Sequence, residues 1–138
     1  MNGLLADIQL QGHLRYLQRL LVGLDLWLTL EEVGITFATF AELLIPPDVD
    51  DRTLWNRCQQ FGWVLLTENR NRDSIDSLEA TLADSWHLGH LPVLTLANRD
   101  EFVRRREYAE AVAADIAEIL FGVAHGEYCD QGRIFVPR

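Results

Sequence analysis

A chain of 138 residues, 49% hydrophobic and 24% charged, has the composition of an ordinary soluble globule and enough length for one domain whose core needs no staple. Its formal charge of −9 weighs against general nucleic-acid binding, which draws affinity from Lys and Arg neutralising phosphates, so any nucleic-acid contact must be local. No run approaches the roughly 20 apolar residues of a membrane span, and Met1-Asn2-Gly3 lacks the basic start of a secretory signal, so a cytoplasmic protein with no membrane partner is expected.

Gly3-Leu4-Leu5-Ala6 reads as a strand ending at Asp7, and Leu10, Leu14, Leu17 and Leu21 then recur at helical spacing. Residues 25–33 suit a second short helix stopped near Gly34, and the β-branched and aromatic run of residues 35–40 suits a strand. Pro46-Pro47-Asp48-Val49-Asp50 is a loop, because proline fixes φ and removes a donor; Asp50 or Asp51 can then cap a helix carrying Leu54, Trp55 and Cys58 and ending before Gly62. Trp63 to Leu66 is the clearest strand, followed by a polar turn and a helix marked by Leu78, Leu82 and Trp86. Residues 91–96 form the next strand. Tyr108, Val112, Ile116, Ile119 and Leu120 line one face of a long helix, and Ile134-Phe135-Val136 suits a last strand beyond Gly132. Alternating strands and helices imply a three-layer α/β/α fold on a mainly parallel, Rossmann-like sheet over residues 1–122, with a tail over 123–138 that could add a strand. All 12 basic residues are arginine, a bias that genome composition explains as readily as function. Cys58 and Cys129 lack C-x-x-C spacing and are expected to be free thiols.

The most informative stretch is Thr67-Glu68-Asn69-Arg70-Asn71-Arg72-Asp73, seven polar residues where a buried strand ends. In a parallel sheet all carboxyl ends share one edge, where open α/β sheets put their ligands. Asp7, the Thr67 turn and the turn Ala97-Asn98-Arg99-Asp100 could therefore converge, with Asp51 or its neighbour Asp50 facing the same edge. Carboxylates gathered so closely repel one another unless a cation lies between them, and hard oxygen ligands favour Mg²⁺ or Mn²⁺. The plainer readings are a solvated turn, a loop carboxylate at Asp7 and a helix cap at Asp51.

Leu4-Leu5-Ala6-Asp7, Thr39-Phe40-Ala41-Glu42 with Pro46-Pro47, Asp51-Arg52-Thr53-Leu54-Trp55 and Val64-Leu65-Leu66-Thr67-Glu68-Asn69-Arg70-Asn71 together resemble the PIN-like superfamily, in particular its small bacterial members. The resemblance runs from about Leu4 to Leu96. It implies a Rossmann-type sheet whose acidic residues hold one or two Mg²⁺ or Mn²⁺ ions and cleave RNA, with Asp7 as the first-strand ligand and Asp51 as the helix-start acid. Many PIN-like relatives carry Thr-x-Asp-x-Asp after the middle strand, whereas this chain has Asn69 and Asn71. An amide oxygen attracts a hard cation less than a carboxylate does, so metal affinity and water activation should fall unless Glu68 or Asp73 compensates; Glu42 could help only if its strand end reaches the site. The implied site is catalytic Asp7, Asp51, Asn69 and Asn71, with Asp7, Asp51 and Asn69 on the metal. Thr67 would orient a water or ligand, and Arg70 and Arg72 would grip phosphate.

Other chemistries lack their scaffolds: there is no G-x-S-x-G elbow, no phosphate-cradling G-x-x-x-x-G-K-[ST] loop and no G-x-G-x-x-G. His87 and His90 read as solvated imidazoles at a helix end, His13 and His125 stand alone, and Trp55, Trp63, Trp86 and Phe37 read as core. Two functions fit: a metal-dependent, toxin-like ribonuclease, or a non-catalytic PIN-like module that binds a protein partner such as an antitoxin, or a second copy of itself.

Overall fold

Five parallel strands in the order β2-β1-β3-β4-β5 organise the chain, seen in a computed structural model that describes residues 1–68, 89–129 and 131–138. The strands are β1 (Gly3–Ala6), β2 (Thr36–Ala38), β3 (Trp63–Glu68), β4 (Val93–Leu96) and β5 (Arg133–Val136). The helices are α1 (Gln11–Gly23), α2 (Trp27–Glu32), α3 (Asp51–Phe61), α4 (Arg99–Arg104) and α5 (Arg106–Ala124), with a 3₁₀ turn at Ile8–Leu10. The expected helix at Leu78, Leu82 and Trp86 lies outside the described residues.

Strand alternation divides the sheet between two helical layers. Leu4, Ala6, Val64, Leu66, Leu94, Leu96, Ile134 and Val136 face α1, α2 and α5, whereas Leu5, Ala38, Leu65 and Val93 face α3 through Leu54, Trp55 and Cys58. This is a three-layer α/β fold. Gly3 has φ +152°, and a Cβ there would run into the backbone of Thr36, so glycine permits the close approach of β1 to β2.

Three local results differ from expectation, each for a visible reason. β2 is shorter than residues 35–40 because the Phe40 N–H donates to Gln11 Oε1 (3.1 Å) and the Thr39 N–H to Glu42 Oε1 (3.0 Å), which takes both off the ladder. β4 starts at Val93 because Leu91 gives its N–H to Gln59 Oε1 (2.7 Å) and accepts from Gln59 Nε2 (3.2 Å), and Pro92 has no donor. Arg99 and Asp100, read as part of a turn, open a one-and-a-half-turn helix over Arg99–Arg104 that Asn98 caps by accepting from the Glu101 N–H at 3.1 Å.

After β2 the chain crosses over β1 to lay down β3, so the strand order reverses between β1 and β3. The crevice beyond the carboxyl ends of those two strands is where sheets of this order take ligands. The β1-to-β2 connection and the β4-to-β5 connection both pack on the same face, yet they move in opposite directions along the sheet. Their hands are therefore opposite, and if the first is right-handed, as nearly all are, the second is left-handed.

Candidate functional site

Asp7 follows β1 immediately. Its N–H donates to Leu66 O (2.9 Å), one rung beyond the Ala6–Leu66 pair, and its Oδ1 accepts from the Ile8 N–H (2.7 Å), capping the 3₁₀ turn. Alternation carries Asp7 to the α3 side, like Leu5. Thr67 and Thr95 follow Leu65 and Val93 to that side and are partners in register. Asp7, Thr67 and Thr95 thus form a row across β1, β3 and β4, only 5%, 2% and 0% exposed. Buried polar side chains are the informative exceptions in a core, and with His90 these are the buried polar or charged residues among those described.

The row has its own electrostatic signature. Burial pushes the Cys58 thiol of α3 up to about 12, and the Asp7 charge adds to the rise; Asp7 therefore acts across the gap between sheet and α3. Thr67 Oγ1 lies 3.1 Å from Thr95 Oγ1 and donates to Leu94 O over a long 3.5 Å. Its hydroxyl, expected to orient a ligand, is satisfied within the sheet in this structure.

Glu68 points the other way. It falls on the α4 side, where Arg99 holds it at 3.1 Å, and with Ala97, Asn98 and Asp100 the pair lines an open polar depression. Its carboxylate is engaged away from the Asp7 row. Glu42 is engaged as well, accepting from both the N–H and the hydroxyl of Thr39 at 3.0 Å. Gln11 laces the edge together, its Oε1 accepting from Phe40 and its Nε2 donating to Ile8 O at 3.4 Å.

Asp50 and Asp51 take different places on α3. Asp50 is the N-cap of α3, accepting from the Thr53 N–H (2.7 Å) and hydroxyl (3.0 Å), which hold its carboxyl below the ordinary value. Asp51 sits in the first turn, half-buried, with no side-chain hydrogen bond or ion pair. Because α3 runs back against the strands, its first turn stands at the carboxyl edge. Asn69, Arg70, Asn71, Arg72, Asp73 and His87 lie outside the described residues. Among the described residues no three His, Cys, Asp or Glu side chains gather tightly enough to hold an ion.

His90 differs from expectation: it is 1% exposed, packed beside Trp55 at 6.1 Å between ring centroids. His125 is exposed, its Nδ1 2.7 Å from Phe121 O at the end of α5. Thr95 and Gln11 were missed by sequence reasoning. The signal for Thr95 was there, a hydroxyl interrupting Leu94-Thr95-Leu96 at the same alternation position as Thr67, whereas Gln11 carries none. Comparison of the chain with family models, with characterised proteins and with solved structures gives no match. No helix among the described residues is long and apolar enough to cross a membrane.

Proposed function

We propose that the chain is a PIN-like, metal-dependent ribonuclease with a weakened acidic site, in which Asp7 and Asp51 bind Mg²⁺ or Mn²⁺ with an amide oxygen of Asn69 or Asn71. The observation that carries this reading is the buried Asp7 carboxylate beyond β1 at the strand-order reversal, in a row with two buried hydroxyls. Such an ion supplies an activated water and offsets charge developing on the phosphate. Asp7, fixed by its own cap to Ile8, would present the carboxylate without reorganising; Thr67 would orient a water or ligand, and Arg70 and Arg72 would hold phosphate oxygens. With amides at Asn69 and Asn71 in place of carboxylates, the affinity is expected to be modest.

The test is a thermal melt with and without Mn²⁺. A ligand bound only by the folded state stabilises by about 2.7 kcal/mol at one hundred times its Kd, which for a domain of this size raises Tm by roughly 10 °C. Asp7→Asn should abolish both the rise and metal-dependent RNA cleavage. No rise at millimolar Mn²⁺ would sink the reading.

A second reading is a non-catalytic PIN-like module that binds a protein partner, an antitoxin or a second copy. It is favoured by how fully the edge satisfies itself, through Thr67 with Thr95, Glu68 with Arg99 and Glu42 with Thr39. In that case Asp7→Asn leaves partner binding intact.

A further inference from the structure

Four of the eight exposed arginines among the described residues have an acid beside them. Arg99 pairs with Glu68, Arg105 with Glu101, Arg106 with Glu110, and Arg138 with Asp115 and Glu118. Among the described residues Arg15 and Arg19 have none, and neither has the isolated Arg104, although the chain carries 21 acidic residues; Arg19 lies over the face of the Tyr16 ring, 5.8 Å from its centroid. They stand four apart on α1, where like charges repel. Arg15, Gln18, Arg19 and Val22 fall at i, i+3, i+4 and i+7, the outer stripe of a helix whose inner stripe is Leu14, Leu17, Leu20 and Leu21. With Gly23 and Trp27 they line one shallow open groove. Val22 is 57% exposed there. The half-buried Trp27 is fixed edge-on against Phe37, with ring centroids 5.0 Å apart, so its indole is a rigid wall of the groove.

We propose that this α1–α2 groove is a binding track for single-stranded RNA, with Arg15 and Arg19 on successive phosphates and a base against Trp27. A cationic path beside an aromatic platform is the chemistry that single strands require, and an unpaired arginine pair is the local exception that a −9 chain needs to hold a polyanion at all. The track lies on the helix that leaves the proposed site and rests on that reading for its purpose: α1 begins at Gln11, directly after the turn that Asp7 caps, and the stripe from Arg15 to Val22 runs about 10 Å along it at 1.5 Å per residue. Glu31 and Glu32, one turn past Trp27, end the cationic stretch. The apolar share of the groove also suits an acidic peptide, and the test separates the two.

Binding of a fluorescein-labelled twelve-residue oligouridylate is measured by anisotropy in EDTA, across a series of salt concentrations, so that neither metal nor cleavage enters. Arg15→Ala/Arg19→Ala should flatten the slope of log K against log salt by about 1.4, at roughly 0.7 per lost phosphate contact. Arg105→Ala/Arg106→Ala changes net charge equally but removes arginines already neutralised, and should leave the slope nearly unchanged. Trp27→Leu should weaken binding about tenfold or more; should it fail to fold, the exposed arginine pair still decides. The track is overturned if the parent does not bind, if both arginine pairs flatten the slope alike, or if a glutamate-rich peptide competes on equal terms with the RNA. Its failure is distinct from failure of the nuclease reading, which the Mn²⁺ melt reports: a track without a Mn²⁺ response remains an RNA-binding surface.

Discussion

Thr67 and Thr95 satisfy one another's hydroxyls inside the sheet, which makes their removal asymmetric. Thr67→Val leaves the Thr95 hydroxyl without the Thr67 oxygen it faces at 3.1 Å, whereas Thr95→Val leaves Thr67 still donating to Leu94 O, and stranding a buried donor costs about 1–3 kcal/mol. Removing both hydroxyls strands nothing, so denaturant unfolding of Thr67→Val/Thr95→Val should show a loss smaller than the sum of the singles by about 1 kcal/mol. Strict additivity would mean that the pair is not coupled. The Asp50 cap makes a prediction in pH. Its folded carboxyl titrates below 3.8 because Thr53 donates to the charged form, so the stabilisation is complete above that value and fades as pH falls through the folded one. Asp50→Ala should therefore lower Tm at pH 7, with a deficit that shrinks on acidification below about pH 3.8. A deficit equally large at pH 2.5 would assign the effect to something other than the charged cap.

At the scale of elements, the β4-to-β5 crossover of opposite hand is held where the chain returns to the sheet. Tyr128 lies over Gly122 of α5, where any Cβ would meet the ring. Arg138 donates through its N–H (2.7 Å) and Nε (2.6 Å) to Asp115 of α5, and through Nη1 to the Tyr128 hydroxyl at 3.0 Å. These bonds hold the guanidinium in its charged form. Arg138→Ala is expected to cost about 1 kcal/mol, discounted for a side chain partly in water, and to speed amide hydrogen exchange at Ile134 and Val136 more than at Leu94. Uniform acceleration across the sheet would instead mark a global loss of stability, with no special role in pinning β5.

For the molecule as a whole the net charge sets a testable background. A chain at −9 repels itself most when compact, and salt screens that repulsion over about 10 Å at 0.1 M. The exposed pairs Arg105–Glu101 and Arg106–Glu110 are each worth well under 1 kcal/mol and lose little. Raising NaCl from 10 to 150 mM (about 30 to 8 Å of screening length) should therefore raise Tm at pH 7. A fall would show that attractive pairs outweigh the excess of acid.

What the sequence determined by itself was whatever depends on neighbours along the chain. The apolar runs at Leu4-Leu5 and Val64-Leu65-Leu66, the 3.6-residue periodicities of α1 and α5, and the proline-to-aspartate entry of α3 specify a parallel α/β fold, because burial needs only the right side chain at the right spacing. The position of Asp7 at a strand end was legible for the same reason. Tertiary structure alone decided the partners. Glu68 pairs with Arg99 rather than turning toward Asp7, since a two-residue period sends it to the opposite face and a helix start 31 residues on meets it there. His90, read as solvated, is buried because α3 lays Trp55 over it. Arg15 and Arg19 have no acidic partner among the described residues, and whether a charge finds its partner is a property of the space around it, which spacing along one helix does not encode.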